Sequence, residues 1–228
     1  MNRTLAILIS GRGSNLKAII DAIKRRDLDA RIAVVISNRA DARGIDHAIG
    51  AGIETLIVDH KAYATREDYD RALVYELRKR DVSLVCLAGF MRLLSPVLVD
   101  AFPGRILNIH PSLLPKFPGL HTHQQALDAG ETEHGATVHF VTAQLDHGPV
   151  LGQVAVPVLP GDDAAGLAGR VLAREHPLLV ATLRLLAQRR LSTGSDMQVR
   201  LDGQPLDQPL QLLDDDTFQI DPINPSAY

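Results

Sequence analysis

Two polar side chains end a short apolar run near the middle of the chain. Asn108 and His110 lie two positions apart in the string RILNIHP, so in an extended strand both side chains point to the same face. A histidine can give or take a proton near neutral pH, and a neutral amide can donate a hydrogen bond to a developing oxyanion. The pair therefore indicates acid–base chemistry at an oxygen centre. The alternative is a buried histidine with a purely structural role.

A third candidate is Asp146, which lies in the Gly/Pro turn LDHGP between two apolar runs. If this turn folds against His110, the carboxylate can fix the imidazole ring in one orientation or favour its charged form. The alternative for this residue is a plain turn aspartate. Nothing in the spacing alone decides between the two.

Residues 11–15 read GRGSN and stand between an apolar run and an amphipathic stretch. Glycines allow a tight turn and a close approach to a ligand, and the start of a helix offers free N–H groups to an anion. A dinucleotide would require a further glycine where Leu16 stands and an acid near Ser37. A single phosphate group fits better, and a turn without a ligand is the alternative. The donors would come from Gly13, Ser14 and Asn15.

The three segments can form one site only if the fold brings them to the same edge of a sheet. Five apolar runs predict buried strands: residues 4–10, 31–37, 53–58, 82–88 and 105–109. Amphipathic stretches predict helices: one from Leu16, one over 41–51, one capped by Thr65 and one near 95–101. The alternation predicts an α/β fold, a doubly wound and mostly parallel sheet with helices on both faces. Such a sheet presents its ligands at the carboxyl ends of its strands.

The pattern changes beyond residue 110. Runs over 135–141 and 149–158 predict a pair of antiparallel strands, and residues 163–190 predict a long amphipathic helix. Pro177 should bend this helix or divide it in two. Residues 201–228 hold six acids, four prolines and no Lys or Arg, which is typical of an irregular, solvated tail. We therefore expect one domain over 1–200, with halves at about 1–107 and 108–200, followed by the tail.

Composition excludes several classes of protein. The net charge of −3 combines +3 on residues 1–200 with −6 on the tail, too weak a balance for a general nucleic-acid binder. No apolar run approaches the roughly 20 residues of a membrane span. The single cysteine, Cys86, lies inside an apolar run and is expected in the core. We expect a cytoplasmic protein with small-molecule ligands, present as a monomer or a homodimer.

Several long strings resemble one family. ISGRGSNL (9–16), SNRADARG (37–44), LAGFMRLLSP (87–96), NIHPSLLPKFPGLHTHQQAL (108–127), HGATVHFV (134–141) and LDHGPVL (145–151) are similar, in this order, to the glycinamide ribonucleotide transformylases of purine biosynthesis. The resemblance runs from residue 4 to about residue 200. It implies a formyltransferase-type, Rossmann-like fold. It also implies transfer of a formyl group from 10-formyltetrahydrofolate to the amine of glycinamide ribonucleotide, without a metal.

The resemblance also implies roles for individual residues. The catalytic trio would be Asn108, His110 and Asp146, with His139 supporting the aspartate. The ribonucleotide would be held by the glycine loop and one acid: Gly13, Ser14, Asn15 and Glu175. The folate side would be formed by one arginine and two segments: Arg66, Phe90, Met91, Arg92, Leu93, Leu94, Thr142, Ala143, Gln144 and Leu145. The Leu114–Pro115 bond would be cis.

Three alternatives stay open. A sibling formyl-group enzyme, with another amine acceptor or acting as a formyltetrahydrofolate hydrolase, would share the trio. The KFPGLHTH continuation and the acidic tail argue against a sibling that acts on tRNA. A metal-dependent hydrolase could draw on histidines and one carboxylate, but their spacing matches no specific metal motif: His121, His123, His134, His139 and Asp146. A nucleotide-binding module without activity is the third. His147 stands beside Asp146 where many relatives of the family have glycine.

Overall fold

The computed structural model describes residues 3–194 and 196–220 of the 228-residue chain. The strands are β1 (Arg3–Ile9), β2 (Ala30–Ser37), β3 (Thr55–Ile57), β4 (Leu84–Leu87), β5 (Ile106–His110), β6 (Glu133–Phe140), β7 (Val150–Pro157), β8 (Leu191–Thr193), β9 (Val199–Leu201), β10 (Gln204–Pro205), β11 (Leu210–Leu212) and β12 (Phe218–Gln219). The helices are α1 (Ser14–Lys24), α2 (Gly44–Ile49), α3 (Arg66–Arg78), α4 (Pro96–Ala101), α5 (Thr122–Asp128) and α6 (Ala164–Ala187).

A nine-stranded sheet in the order β12-β11-β7-β6-β5-β4-β1-β2-β3 forms the centre of the molecule. Strands β3, β2, β1, β4 and β5 are parallel to one another, which confirms the predicted doubly wound arrangement. The register places Leu8 beside Leu87, and Leu87 beside Asn108. The segments that follow β1, β4 and β5 therefore leave the sheet at the same edge. β3 is shorter than the run that predicted it.

The other half of the sheet is mainly antiparallel. β6 runs antiparallel to β7, as the sequence predicts, and it also runs antiparallel to β5. The pairing sets His139 beside Asn108 and Thr137 beside His110. The strand that precedes the Asp146 turn is therefore the direct neighbour of the strand that carries Asn108 and His110.

Apolar side chains of β1 pack alternately into cores on the two faces of the sheet. Leu5, Ile7 and Ile9 contribute to the core that α1 and α6 cover. Ala6 and Leu8 contribute to the core that α3 and α4 cover. Helices thus lie on both faces, which confirms the predicted layers.

The fully buried Cys86 of β4 belongs to the first core. Burial raises the pKa of its thiol to about 12, so the thiol remains protonated and apolar in character. This is the core position that the sequence predicts for it.

Two helix starts follow from capping side chains. Thr65 Oγ1 accepts the Asp68 N–H at 3.1 Å, which confirms the predicted start of α3. Asp163 Oδ1 accepts the Gly166 N–H at 2.7 Å before α6. The sequence predicts that Pro177 bends α6 or divides it in two. α6 runs through Pro177 as one helix, so it is not divided, and the bend stays a prediction. Packing of the helix against α1, β6 and β7 outweighs one lost hydrogen bond.

The prediction of an irregular tail was wrong for the described residues up to 220. β9 and β10 form a small antiparallel sheet with β8, while β11 joins the main sheet parallel to β7. The Phe218 ring lies against the backbone of Gly152, and Arg174 donates to Asp216 and to the Leu213 carbonyl. The tail therefore packs through an apolar ring and is also held by an acidic side chain and a backbone carbonyl. Residues 221–228 lie outside the described residues, and the division at residue 200 stays a prediction.

Gly135 on β6 tests how closely β6 and β7 pack. A Cβ atom at this position would lie 1.9 Å from the Val154 carbonyl oxygen. We expect Gly135→Ala to destabilise the fold by about 2 kcal/mol, because the backbone of β7 must shift. Gly169→Ala is the matched control, since nothing lies within 4 Å of the added methyl group at this exposed position of α6. Thermal unfolding that shows equal melting temperatures for the two variants would contradict this packing.

Candidate active site

His110, at the end of β5, is held by contacts on both ring nitrogens. Its Nε2 lies 2.9 Å from the Phe117 carbonyl oxygen, and its Nδ1 lies 3.5 Å from Asp146 Oδ2. A carbonyl oxygen only accepts, so Nε2 carries a proton and donates it. Nδ1 then faces the carboxylate. The residue is 5% exposed, so this orientation is fixed by the protein rather than by solvent.

The pKa of His110 reflects opposing effects. Burial lowers it, while the Phe117 carbonyl and the Asp146 carboxylate raise it, and the net direction is downward. Asp146 therefore favours the charged ring, as the sequence predicts, but burial outweighs it. The resting imidazole is mainly neutral near pH 7 and lies beside a group that stabilises its charge.

Asp146 is placed by the turn after β6 with a positive φ of 52°. Its Oδ2 accepts the Gly119 N–H at 2.9 Å, and its Oδ1 lies 3.6 Å from His139 Nε2. Burial raises the pKa of the carboxyl, but the contacts with His139, Gly119 and His110 lower it by more. Asp146 is therefore ionised at neutral pH.

Asn108 and His139 form a cross-strand pair on β5 and β6. His139 Nδ1 donates to the Phe140 carbonyl at 2.9 Å. Its Nε2 lies 3.6 Å from Asp146 Oδ1 and 3.2 Å from Asn108 Nδ2, so it faces both the carboxylate and the amide. The structure thus brings together Asn108, His110, His139 and Asp146, as the sequence predicts.

One loop contacts both titratable members of the trio. Residues 111–119 supply the Phe117 carbonyl to His110 and the Gly119 amide to Asp146. Within this loop the Leu114–Pro115 bond is cis, which confirms the expectation. The resemblance to the family includes this string, but it implies no role for the Phe117 carbonyl or the Gly119 amide, because a pattern of side-chain types does not report on backbone groups.

Thr137 on β6 fixes this loop and was missed from the sequence. Its Oγ1 donates to the Ser112 carbonyl at 2.6 Å and accepts from the Leu114 N–H at 3.1 Å and from Gln153 Nε2 at 3.0 Å. All three hydrogen-bonding positions of the hydroxyl are used. A signal existed, because Thr137 and His139 are two apart on a strand and share a face.

The glycine loop packs tightly between β1 and α2. Gly13 has a φ of 72°, and a Cβ atom there would lie 2.6 Å from Gly44 Cα. The Gly44 N–H donates to the Gly11 carbonyl at 2.9 Å, which fixes this approach. Because Gly13 offers no side chain as a cap, the first N–H groups of α1, from Ser14 onward, remain available to an anion.

Asn15 and Glu175 meet beside this loop. Asn15 Nδ2 donates to Glu175 Oε2 at 2.8 Å, and both residues are buried. Asn15 Oδ1 has no hydrogen-bond partner among the described residues. Burial raises the pKa of Glu175, and the Asn15 hydrogen bond opposes that rise. The structure thus brings together the loop and the acid that the sequence predicts to form one site. Among the described residues, Asn15 Oδ1 remains there as a hydrogen-bond acceptor for a donor group of a ligand.

The predicted folate-side residues come from three segments. Residues 90–94 follow β4, residues 142–145 follow β6, and Arg66 begins α3. Met91 and Leu93 are 69% and 54% exposed, and Leu145 is 49% exposed. Phe90 is buried in the core, and the Arg92 guanidinium lies 5.3 Å from the centre of the Tyr69 ring. Thr142 Oγ1 donates to the Gln144 carbonyl, and Ala143 is exposed.

The remaining histidines separate into different places. His134 Nε2 and His123 Nδ1 are 3.1 Å apart, and His121 is an exposed residue before α5. His147 is exposed, and its Nδ1 donates to the Leu145 carbonyl. Across residues 3–194 and 196–220, no group of three or more His, Cys, Asp or Glu side chains is placed to hold a metal ion. Within the same ranges, no helix has both the length and the apolar character to cross a bilayer.

Known proteins share this sequence over most of its length. A family model described as formyl transferase matches residues 3–183. The chain belongs to the formyl transferase family. Phosphoribosylglycinamide formyltransferase of Escherichia coli (strain K12) is 48% identical over 202 residues, 89% of this chain and 95% of that protein. The human trifunctional purine biosynthetic protein adenosine-3 is 45% identical over 195 residues, 86% of this chain and 19% of that protein.

Solved structures agree with this family. Glycinamide ribonucleotide transformylase 1 from Symbiobacterium toebii gives a TM-score of 0.85 at 48% identity, over 88% of this chain and 94% of that one. Phosphoribosylglycinamide formyltransferase from Coxiella burnetii gives 0.86 at 46% identity, over 90% and 96%. The resemblance read from the sequence strings and the expected formyltransferase-type fold are confirmed. The described residues beyond 183 lie outside the family model.

The buried His134 predicts a pH dependence of stability. Burial, with His123 and His110 nearby, lowers its pKa to about 4, while the Pro111 carbonyl and Glu131 oppose this. The unfolded chain, with an ordinary histidine pKa near 6.5, binds more protons between these values, so stability falls as the pH drops from about 6.5 to 4.

We expect His134→Gln to reduce the acid-induced fall in the free energy of unfolding by roughly 2 kcal/mol between pH 7.5 and pH 4.5. Chemical unfolding at pH 7.5, 6.0 and 4.5 measures it. The exposed His147→Gln is the matched control and should keep the slope of the unmodified protein. Equal slopes for His134→Gln and the unmodified protein would refute the assignment.

Proposed function

We propose that this chain transfers a formyl group from 10-formyltetrahydrofolate to the amine of glycinamide ribonucleotide, the reaction of a phosphoribosylglycinamide formyltransferase. The observation that carries the proposal is the meeting of Asn108, His110 and Asp146 at the sheet edge that also bears the glycine loop. Relatives that this chain matches over most of their length carry that name in two bacteria. The reaction belongs in the cytoplasm, and the oligomeric state, monomer or homodimer, stays a prediction.

The trio suits attack of a neutral amine on a formyl carbon. The amine nitrogen forms the new C–N bond, and the carbonyl oxygen becomes an oxyanion to which the Asn108 amide can donate. The amine then loses a proton, and the neutral His110 ring beside ionised Asp146 can take it. The ring so charged stabilises the oxyanion. The bond from carbon to the folate nitrogen breaks as that nitrogen receives the proton, so protons and electrons balance.

The ribonucleotide side rests on groups that favour an anion and a hydroxyl. The N–H groups at the start of α1 suit the phosphate, since helix starts attract negative charge. Glu175 accepts hydrogen bonds from ribose hydroxyls, and the unpartnered Asn15 Oδ1 offers a second acceptor. A phosphorylated acceptor uses this loop, whereas an acceptor without phosphate leaves it empty. This favours glycinamide ribonucleotide over other amines.

The folate side rests on exposed apolar surface. Met91, Leu93 and Leu145 would cover a flat ring, which removes their apolar area from water. Arg66 and Arg92 carry the positive charge that meets the carboxylates of a folate. These assignments explain why a protein with a net charge of −3 can bind two anionic ligands at locally positive groups.

The decisive experiment is a formyl-transfer assay with both proposed substrates. We expect turnover by the unmodified protein, and a fall in kcat of about 10² to 10⁴ for His110→Asn, because the proton-transfer group is lost. The exposed His147→Asn is the control and should retain kcat within about threefold. If the protein transfers formyl to another amine but not to glycinamide ribonucleotide, the proposed acceptor is refuted. The proposed reaction class, formyl transfer to an amine, is then retained.

Thr137→Val tests the loop that holds the trio. The substitution keeps the side-chain volume and removes three hydrogen bonds to residues 112, 114 and 153. We expect kcat to fall about tenfold or more with both KM values near those of the unmodified protein, because small displacements of reacting groups cost rate. Thr182→Val, on α6, removes a buried hydroxyl bonded only within its own helix and is the control. Equal kcat for the two variants would contradict this role.

A further inference from the structure

Asp70 is a buried carboxylate that the proposed reaction does not use. It lies on α3 and is 1% exposed. Its Oδ2 accepts two hydrogen bonds from Ser95, from the backbone N–H at 2.5 Å and from the hydroxyl at 2.7 Å. A buried carboxylate is costly unless it is paired, so its retention requires a compensating role.

Ser95 connects Asp70 to the folate-side segment. It is fully buried and stands at the residue before α4, directly after residues 90–94. A serine at this place usually caps its own helix. Here its hydroxyl donates to Asp70 instead. Asp70 therefore fixes the position at which the segment ends.

The other end of the segment is fixed separately. Ser10 Oγ accepts the Met91 N–H at 2.8 Å and donates to Asn38 Oδ1 at 2.6 Å. Residues 91–95 thus span two anchors, one on the chain after β1 and one on α3. Between the anchors, Met91 and Leu93 project to the surface while Arg92 turns toward α3.

Asp70 interacts electrostatically with the two arginines on the folate side of the site, Arg66 and Arg92. Arg92 stacks over Tyr69, the residue before Asp70, and Arg66 lies one helical turn earlier on α3. Both arginines act on the Asp70 carboxyl electrostatically, although burial has the larger effect and raises its pKa. Within residues 3–194 and 196–220, Tyr69 Oη, Asp70 Oδ1 and Arg92 Nε are buried without hydrogen-bond partners. These three polar atoms are held by packing and charge alone.

We propose that Asp70 is a positioning residue for folate recognition: its two hydrogen bonds to Ser95 and its negative charge hold residues 91–95 and the Arg92 guanidinium in the conformation that meets the folate. Asp70 touches neither the reacting atoms nor the ribonucleotide side. This inference rests on the proposed function, since it concerns the folate side of that same site.

The test is Asp70→Asn, which keeps the shape and an acceptor for both Ser95 hydrogen bonds but removes the charge. We expect the KM for 10-formyltetrahydrofolate to rise about fivefold or more, with kcat and the KM for glycinamide ribonucleotide within about twofold of the unmodified protein. Glu67→Gln, the same change of carboxylate to amide on α3, is the matched control and should alter none of the three constants.

Ser95→Ala is the second variant and removes one hydrogen bond while leaving the carboxylate. It should raise the same KM about twofold or more. If Asp70→Asn does not fold, as judged by circular dichroism, this variant alone decides. An unchanged folate KM, or equal rises in both KM values, would overturn the proposal.

Calorimetric titration of 10-formyltetrahydrofolate into each protein separates the two hypotheses. A protein that binds the folate without transferring formyl to glycinamide ribonucleotide refutes the proposed acceptor. Weaker folate binding by Asp70→Asn than by Glu67→Gln would then still support the positioning role, and equal binding would overturn it.

Discussion

The site depends on one short loop that supplies one backbone group to each of two titratable side chains. The Phe117 carbonyl orients His110, and the Gly119 amide orients Asp146, so one loop of the chain sets both ends of the imidazole–carboxylate contact. Backbone groups are well suited to this task, because they cannot change rotamer independently of the chain. The His110–Asp146 separation of 3.5 Å is therefore a property of loop conformation more than of the two side chains.

The antiparallel strand β6 makes that loop possible. In a purely parallel sheet, the strand beside β5 would run in the same direction as β5 and would be reached through a crossover connection, usually a helix. β6 instead places Thr137 beside His110 and His139 beside Asn108, and the turn after it carries Asp146. β6 thus holds the loop through Thr137, contacts Asn108 through His139, and leads into the turn that carries Asp146. The change from parallel to antiparallel order is the structural step that assembles the trio.

The sequence predicted the parts of this arrangement that side-chain type and periodicity encode. Continuous apolar runs identified β1, β2, β4 and β5, and the two-residue spacing of Asn108 and His110 placed them on one face. Thr137 escaped notice because a threonine in an apolar strand reads as an ordinary β-branched residue. The Phe117 and Gly119 groups are backbone atoms, for which no sequence signal exists. In the C-terminal segment, acids and prolines masked the apolar residues that form β11 and β12.

The two sides of the site are anchored by different elements, and this separates their energetics. Asn15 and Glu175 join α1 to α6 on one face of the sheet, and Asp70 joins α3 to the start of α4 on the other. The trio at the edge of the sheet lies between them. Because each anchor is buried and makes its hydrogen bonds within its own side, a change in one alters a ligand contact without displacing the other. A reaction between two ligands benefits from this division, since each ligand can be positioned against the trio independently and the binding energy of both contributes to bringing the amine to the formyl carbon.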